Sequence, residues 1–417
     1  MKVLVVGSGG REHAICWKIS ENKDVEKIYC APGNGGIALL EKGENVDIKG
    51  SDKLLDFALK NKIDLTIVGS EELLVDGIVD KFKGAGLKIF GPDKKAALLE
   101  GSKAFAKDFM KKYGIKTAAY EVFNDPERAK EYIKKCEFPL VVKASGLAAG
   151  KGVLICEDME SALKAVDEIM IDKVFNEAGH EIVVEEFLDG VEASILSITD
   201  SRLILPFISA KDHKKIGEKE TGLNTGGMGT IAPNPYVTDE VYKTFVNDIM
   251  EPTLKGIKAE KMDFAGFIFF GLMITKKGVY LLEYNMRLGD PETQVILPLL
   301  QSDFIDLLNS GLNKELDKAE VKWSDKSTCC VVLASGGYPK KYAKGYEITG
   351  LSEVDDLVFV AGAKEEDGKL YTNGGRVLNV VGIGNNLEEA RSKAYAAIEK
   401  INFKDKYFRK DIGVLYR

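Results

Sequence analysis

The stretch Leu281-Leu-Glu-Tyr-Asn-Met-Arg-Leu-Gly-Asp-Pro-Glu292 gathers oxygen donors and a guanidinium into a short run. Its apolar spacing predicts a strand on which Glu283 and Asn285 share one face. Two oxygen ligands so placed suit a magnesium ion that takes its remaining ligands from water and nucleotide phosphates. Arg287 and Asp290 then leave the strand end toward the same cleft. The plainer reading is a half-buried strand with a polar outer face. A Glu–Asn–Arg series at spacing two, running into Gly-Asp-Pro, argues against it.

A second set of candidates lies in Lys143-Ala-Ser-Gly-Leu-Ala-Ala-Gly-Lys-Gly152. It lacks the spacing of a P-loop, has no Ser or Thr after Lys151, and runs into a strand instead of a helix. A glycine-rich hairpin with a lysine at each side can fold over a triphosphate, donate backbone N–H groups and offset charge. The alternative is a surface hairpin with solvated lysines. Downstream, Glu185-Glu-Phe-Leu-Asp-Gly-Val-Glu192 reads as a strand edge, a turn and a further acid. Its backbone can meet a base edge and Glu192 can accept from ribose hydroxyls, although an ordinary acidic hairpin explains it as well.

Two glycine-rich segments complete the candidates. Gly7-Ser-Gly-Gly-Arg-Glu-His13 follows a strand and opens a helix, where free N–H groups favour an anion. Glu12 stands where a dinucleotide fingerprint needs its third glycine, and no acid follows the second strand, so a monophosphate fits better than NAD. Gly33-Asn-Gly-Gly36 falls on the same carboxyl edge of the sheet. Either loop could also be glycine-rich for chain geometry alone. Further on, Lys211-Asp-His-Lys-Lys215 precedes Thr221-Gly-Leu-Asn-Thr-Gly-Gly-Met-Gly229, a glycine-dense loop that is costly to order unless it grips something. His213 could titrate there, but a surface histidine fits equally well and no catalytic role is assigned to it.

The elements that must carry these groups follow from periodicity. Short apolar runs at Val3–Val6, Ile28–Cys30, Leu65–Val68 and Lys88–Phe90 alternate with helices near Glu12–Ser20, Asp52–Asn61 and Glu72–Lys83, predicting an open parallel α/β sheet. After helices at Lys94–Leu99 and Lys103–Lys112 the pattern changes. Pro139–Lys143 and Val153–Cys156 are too close for a helical crossover and pair antiparallel, inside a small α+β lid of about residues 120–190. A long helix near Asp239–Ile257 and the hairpin Phe264–Thr275/Val279–Asn285 follow, then an α+β cap with a helix near Leu387–Lys400. The expected domains are 1–101, 102–324 and 325–417.

The 417 residues exceed one core, and 45% hydrophobic with 29% charged residues is an ordinary globular mix. A net charge of −7 disfavours a nucleic-acid partner. The six cysteines and three histidines form no zinc set and read as reduced, apolar fillers. The longest apolar stretch, Phe264–Thr275, is about half a membrane span, so a cytoplasmic protein with no membrane partner is expected.

The ordered layout of Lys143 and its hairpin, Glu185–Glu192 and Glu283-Tyr-Asn285 resembles the ATP-grasp superfamily. More narrowly, Gly7-Ser-Gly-Gly-Arg-Glu-His-Ala14, Ala31-Pro-Gly-Asn-Gly35, Lys211-Asp-His-Lys214, Asn224-Thr-Gly-Gly-Met-Gly229 and Asn285-Met-Arg-Leu-Gly-Asp-Pro-Glu292 resemble the phosphoribosylamine–glycine ligase family, across essentially the whole chain. The resemblance implies a pre-ATP-grasp N-terminal sheet, an ATP-grasp core with a lid, and a small C-terminal α+β cap. It implies ATP-dependent ligation of glycine to 5-phosphoribosylamine through glycyl phosphate, in purine biosynthesis, by a monomer or weak homodimer.

Carried over by motif, Lys103 and Lys143 would hold the α- and β-phosphates of ATP. Gly150, Lys151 and Gly152 would cover the β- and γ-phosphates. Glu185, Glu186, Phe187 and Leu188 would hold adenine, and Glu192 the ribose. Glu283 and Asn285 would ligate Mg2+ or Mn2+. Arg287, Asp212 and Lys214 would be catalytic, with Asn224, Thr225, Gly226, Gly227 and Asp290 facing the substrates. Gly9, Gly10, Arg11, Gly33 and Asn34 would receive the ribose phosphate. Many ATP-grasp enzymes supply a metal carboxylate from the preceding strand, but here Gly266–Thr275 contains no acid. The competing expectations are another ATP-grasp ligase or carboxylase of purine or biotin chemistry, a nicotinamide oxidoreductase, and a non-catalytic nucleotide-binding module.

Overall fold

The computed structural model describes residues 1–148 and 150–415. Apolar runs at the start of the chain form a five-stranded, all-parallel sheet in the order Gly43–Asn45, Lys27–Pro32, Lys2–Gly7, Leu65–Val68, Ile89–Phe90. The expected strands and helices are present. The helix expected over Glu72–Lys83 is instead two, Glu71–Asp76 and Ile78–Gly84, because Gly77 turns left-handed at φ 89°. A short helix, Gly35–Ala38, and the edge strand Gly43–Asn45 lie between elements the periodicity marks. Both are too short to show a repeat.

The lid is a four-stranded antiparallel sheet in the order Tyr120–Phe123, Ile182–Glu186, Leu140–Ala144, Val153–Cys156. Helices Pro126–Ile133 and Met159–Val166 pack on it through Ala129, Ile133, Ala162 and Val166, against Leu140, Val142, Ile182 and Val184.

The largest sheet has eight strands. Its order is Gly278–Asn285, Gly266–Thr275, Val191–Thr199, Ile204–Asp212, Gly229–Ala232, Ser327–Ala334, Arg376–Gly384, Leu357–Val360, each antiparallel to its neighbours. The C-terminal segment therefore carries a helix, Leu387–Lys400, and a small sheet of its own, and also extends the central sheet. The long helix expected near Asp239–Ile257 runs Asp239–Phe245, a wider π turn at Val246–Met250, then Glu251–Ala259. It buries Phe245, Ile249 and Ile257 against Phe270 and Tyr284. Tyr284 Oη and Thr253 Oγ1 are 2.6 Å apart, tying strand to helix.

This packing orients the strand that bears Glu283. Tyr284 and Met286 are buried, so Glu283 and Asn285, which alternate with them, turn to the opposite face. A bulge opposite Gly271 and Leu272 leaves Leu282 unpaired and resets the alternation just before Glu283. Cys16, Cys30, Cys156, Cys329 and Cys330 are buried free thiols and Cys136 is half-buried, consistent with use as apolar fillers. No helix among the described residues is long and apolar enough to cross a membrane.

Phe270 is fully buried, with ring centroids 5.1 Å from Phe245 and 5.7 Å from Tyr284. Phe270→Ala is expected to destabilise the fold by about 3–5 kcal/mol, read from urea denaturation against the wild type.

Candidate active site

At one end of the site, helix Lys103–Tyr113 begins behind Ser102, whose hydroxyl caps it by accepting from Phe105 N. The Lys103 amide donates to Ser145 O at 2.8 Å, fastening the helix start to the glycine hairpin. Burial pushes the Lys103 ammonium down, while Glu283 supports its charge. Lys143 Nζ lies 2.8 Å from Glu185 Oε2, and Lys107 Nζ lies 3.1 Å from Glu185 Oε1. Burial works against the Glu185 carboxylate, but the two ammoniums hold it below the usual carboxylate range. Burial pushes Lys107 down to about 8.

The Glu185 carboxylate is thus engaged in positioning Lys143. Glu186 accepts from Ala119 N at 2.9 Å, and the chain from Glu186 to Gly190, with Phe187 exposed and Leu188 half-buried, runs out of the end of an interior strand of the lid sheet. In the hairpin, Lys151 N donates to Ala148 O at 2.9 Å, Gly150 turns at φ 72°, and the Lys151 side chain is exposed. A Cβ at Gly152 would come within 2.7 Å of Ala148 Cβ. Ala149, part of the same predicted motif, lies outside the described residues.

The centre is a cluster of opposite charges. Lys214 Nζ is 2.8 Å from Glu192 Oε2. Burial opposes its charge, yet Glu192, Glu283 and Asp212 together hold it firmly protonated. Glu283 is in turn held below the usual carboxylate range by Lys214, Lys103, Lys143 and Arg287, against the cost of burial. Asp212 goes the other way: burial and the facing Glu292 push its carboxyl well up. Glu292 accepts from Ser194 Oγ at 3.3 Å. Among the described residues, no cluster of three or more His, Cys, Asp or Glu is arranged to hold a metal. Asn285 Oδ1 already accepts from Arg287 Nη2 at 3.2 Å.

The glycine loop closes over Asp212. Thr225 donates twice to Lys214 O, from N and Oγ1, at 2.8 Å each. Gly227 adopts φ 113°, and a Cβ there would meet Asp212 Oδ1 at 2.7 Å. His213 is buried, correcting the surface alternative, with Nδ1 3.1 Å from Gly229 O. Burial pushes it down to about 3, so it is neutral at ordinary pH.

At the other end, Arg287 Nη2 reaches Glu100 Oε1 at 2.9 Å and Asn285 Oδ1 at 3.2 Å, and Nε lies 3.7 Å from Glu71 Oε2. The N–H groups expected to greet a phosphate are partly taken. Gly9 N donates to Glu12 Oε2 at 2.6 Å and Arg11 N to Asp290 Oδ2 at 3.3 Å. Arg11 is bound to Glu12 and to Leu288 O. A Cβ at Gly10 would strike Asn379 Nδ2 at 2.3 Å, so this glycine serves close packing. Asn34 is likewise structural. Its side chain accepts from Gly36 N and Ile37 N and donates to Ser8 O, Gly9 O and Val360 O. Gly33 takes φ 73° beside Asn45, whose Nδ2 donates to Asn34 O at 2.6 Å.

Glu71, Glu100, Lys107 and Arg376 belong to the site and carried no motif in the sequence. Arg376 Nη1 donates to Gly226 O at 2.6 Å and Asp290 O at 2.8 Å, joining the glycine loop to the Asp290 turn. Only Gly226 and Asp290, at the other ends of those bonds, could be read from local spacing.

Family profiles match in chain order: "Phosphoribosylglycinamide synthetase, N domain" at 1–100, the ATP-grasp (A) domain at 101–293 and the C domain at 328–415. A phosphoribosylamine–glycine ligase of Fusobacterium nucleatum is 62% identical, over 100% of this chain and 99% of its own. The chain belongs to the phosphoribosylamine–glycine ligase family. A Clostridium acetobutylicum member of that family is 59% identical over 99% of both chains. The crystal structure of the Thermotoga maritima phosphoribosylamine–glycine ligase superposes with a TM-score of 0.86 at 38% identity, covering 99% of this chain and 100% of its own. The biotin carboxylase domain of Hydrogenobacter thermophilus 2-oxoglutarate carboxylase shares the fold, with a TM-score of 0.73 at 16% identity over 97% of this chain and 91% of its own.

Two buried histidines of this family member set an acid limit. His213 and His13 are pushed down to about 3 and about 4 by burial, His13 also accepting from Val360 N at 2.8 Å. Both bind protons more readily unfolded, so stability present above pH 6.5 is lost as pH falls through the folded values. Urea midpoints are expected to drop from pH 7 to pH 5, at up to about 2 kcal/mol per histidine, with a shallower fall in His213→Gln.

Proposed function

We propose that the chain ligates glycine to 5-phosphoribosylamine at the expense of ATP, giving glycinamide ribonucleotide, ADP and phosphate in purine biosynthesis. The observation that carries this is that Lys103, Lys143, Lys214 and Arg287, from four separate segments, all hold the Glu283 carboxyl down electrostatically. Cations from four separate segments around one acid suit a phosphoryl transfer, which needs positioning and charge stabilisation more than a protein nucleophile.

Lys103, Lys143 and Lys151, with the backbone of Gly150 and Gly152, bind the phosphates. The stretch Glu186–Leu188 receives adenine and Glu192 the ribose, while Glu185 holds Lys143 in place. Glu283 and Asn285 are the residues that would hold Mg2+ or Mn2+, which neutralises phosphate charge when bound. A glycine carboxylate oxygen bonds to the γ-phosphorus as the bond to the ADP oxygen breaks, forming glycyl phosphate. The amine nitrogen of phosphoribosylamine then bonds to the glycyl carbonyl carbon, phosphate leaves, and the nitrogen gives up a proton.

Arg287 orients the glycine carboxylate. Asp212, whose carboxyl burial makes unusually basic, accepts the amine proton, and Lys214 stabilises the oxyanion. Asn224–Gly227 and Asp290 line the substrates, and the loops at Gly9–Arg11 and Gly33–Asn34 face the ribose phosphate. The same reading carries a cytoplasmic monomer or weak homodimer divided at about residues 101 and 324.

ADP and phosphate release is measured with Mg·ATP, glycine, and phosphoribosylamine formed in situ from ribose 5-phosphate and ammonia. Release is expected only when glycine and the amine are both present. Release that ignores glycine but follows bicarbonate would replace the ligase by a carboxylase. Glu283→Gln is expected to lower turnover on the order of 100-fold or more with an unchanged circular dichroism spectrum. Wild-type turnover at saturating magnesium would remove Glu283 from the metal assignment.

A further inference from the structure

Lys214 and the Asn224–Gly227 loop flank a small two-stranded hairpin, Lys215–Gly217 paired with Thr221–Asn224. Two strands this short do not hold themselves together in water. The turn is also unfavourable by itself. Lys219 and Glu220, neither a glycine, both take φ 55°, and Gly222 takes φ 80°. Non-glycine residues in this region persist only where their surroundings over-determine them. Thr221, Gly222 and Leu223 are exposed, so no core packing holds them.

The surroundings come from the C-terminal segment. Arg409 is fully buried, an unusual place for a guanidinium. Its Nε and Nη2 each donate to Asp411 at 2.8 Å, Nη2 also reaches Glu220 Oε1 at 2.8 Å, and Nη1 donates to Lys215 O at 3.0 Å. Asp411 Oδ2 in turn accepts from Lys219 N at 2.8 Å, and Tyr407 Oη donates to Ile216 O at 2.7 Å. Both left-handed residues are therefore held by the Arg409–Asp411 pair, one through its amide and one through its side chain. The same guanidinium holds the carbonyl of Lys215, next to Lys214.

We propose that Arg409, with Asp411, is a positioning pair that latches the 215–224 hairpin and so fixes Lys214 and Asn224–Gly227 over the substrates. The pair touches no reacting group. It acts through the hairpin, whose two ends are the segments assigned to the site. The proposal deepens the ligase reading above and rests on it for the kinetic part of its test. A lysine cannot reproduce the forked contacts, so Arg409→Lys loosens the latch while keeping the charge. Glu220 lies at the exposed rim, so Glu220→Gln removes one contact with little risk to folding.

Hydrogen exchange of residues 214–227 in the free protein is measured for both variants, together with KM for glycine, for the amine and for ATP. Exchange is expected to accelerate in that segment and not in the lid. KM for glycine or the amine should rise on the order of tenfold in Arg409→Lys, and less in Glu220→Gln, with KM for ATP unmoved. Unchanged exchange at 214–227 overturns the latch. So does faster exchange with every KM and kcat at the wild-type value. If wild-type protein lacks glycine-dependent ADP release, the ligase reading falls, while the exchange result still decides whether Arg409 holds the hairpin.

Discussion

A carboxylate or ammonium taken out of water costs several kcal/mol unless an opposite charge meets it, and the site is built from such meetings. Glu185 on the lid sheet is met by Lys143 beside it and by Lys107 from the helix before the lid. Lys214, two residues past the central strand Ile204–Asp212, is met by Glu192 on that sheet, and Arg287 at the strand end by Glu100 from the helix after the N-terminal sheet. Each partner comes from a different element. These charges are thus held in position by contacts that also tie the substructures together.

Not every acid is answered. Asp212 and Glu292 are both buried, and the Asp212 carboxyl is pushed up first by that burial and then by the neighbouring Glu292 charge. That separates two chemical roles within one cleft. Glu283, ringed by cations, stays ionised, while Asp212 can hold a proton. The glycine loop enforces the difference by closing over Asp212, where Gly227 leaves no room for a side chain.

The C-terminal segment contributes more than its distance along the chain implies. Three of its strands continue the central sheet, and from that platform Arg376 reaches both the glycine loop and the Asp290 turn while Tyr338 Oη accepts from Gly226 N at 3.1 Å. Asn34 makes the matching link at the other side, from the N-terminal sheet to Val360 O. Loops that look independent in sequence are each held from at least one remote element.

Periodicity and turn chemistry made most of the fold legible. The parallel sheet, the antiparallel lid pair and the Glu283/Asn285 face follow from local apolar spacing, which acts over a few residues and so is written in the chain itself. Glycine and lysine motifs likewise marked the loops of the site. What the sequence could not determine is which polar group each side chain meets, since those partners lie tens to hundreds of residues away. Glu185 holding Lys143, Asn34 bridging to Val360, Asp290 occupying the Arg11 amide, and Arg409 gripping the 215–224 hairpin were decided by tertiary structure alone. Hydrogen bonds and ion pairs are short-ranged in space and indifferent to sequence distance, so only the folded chain could assign them.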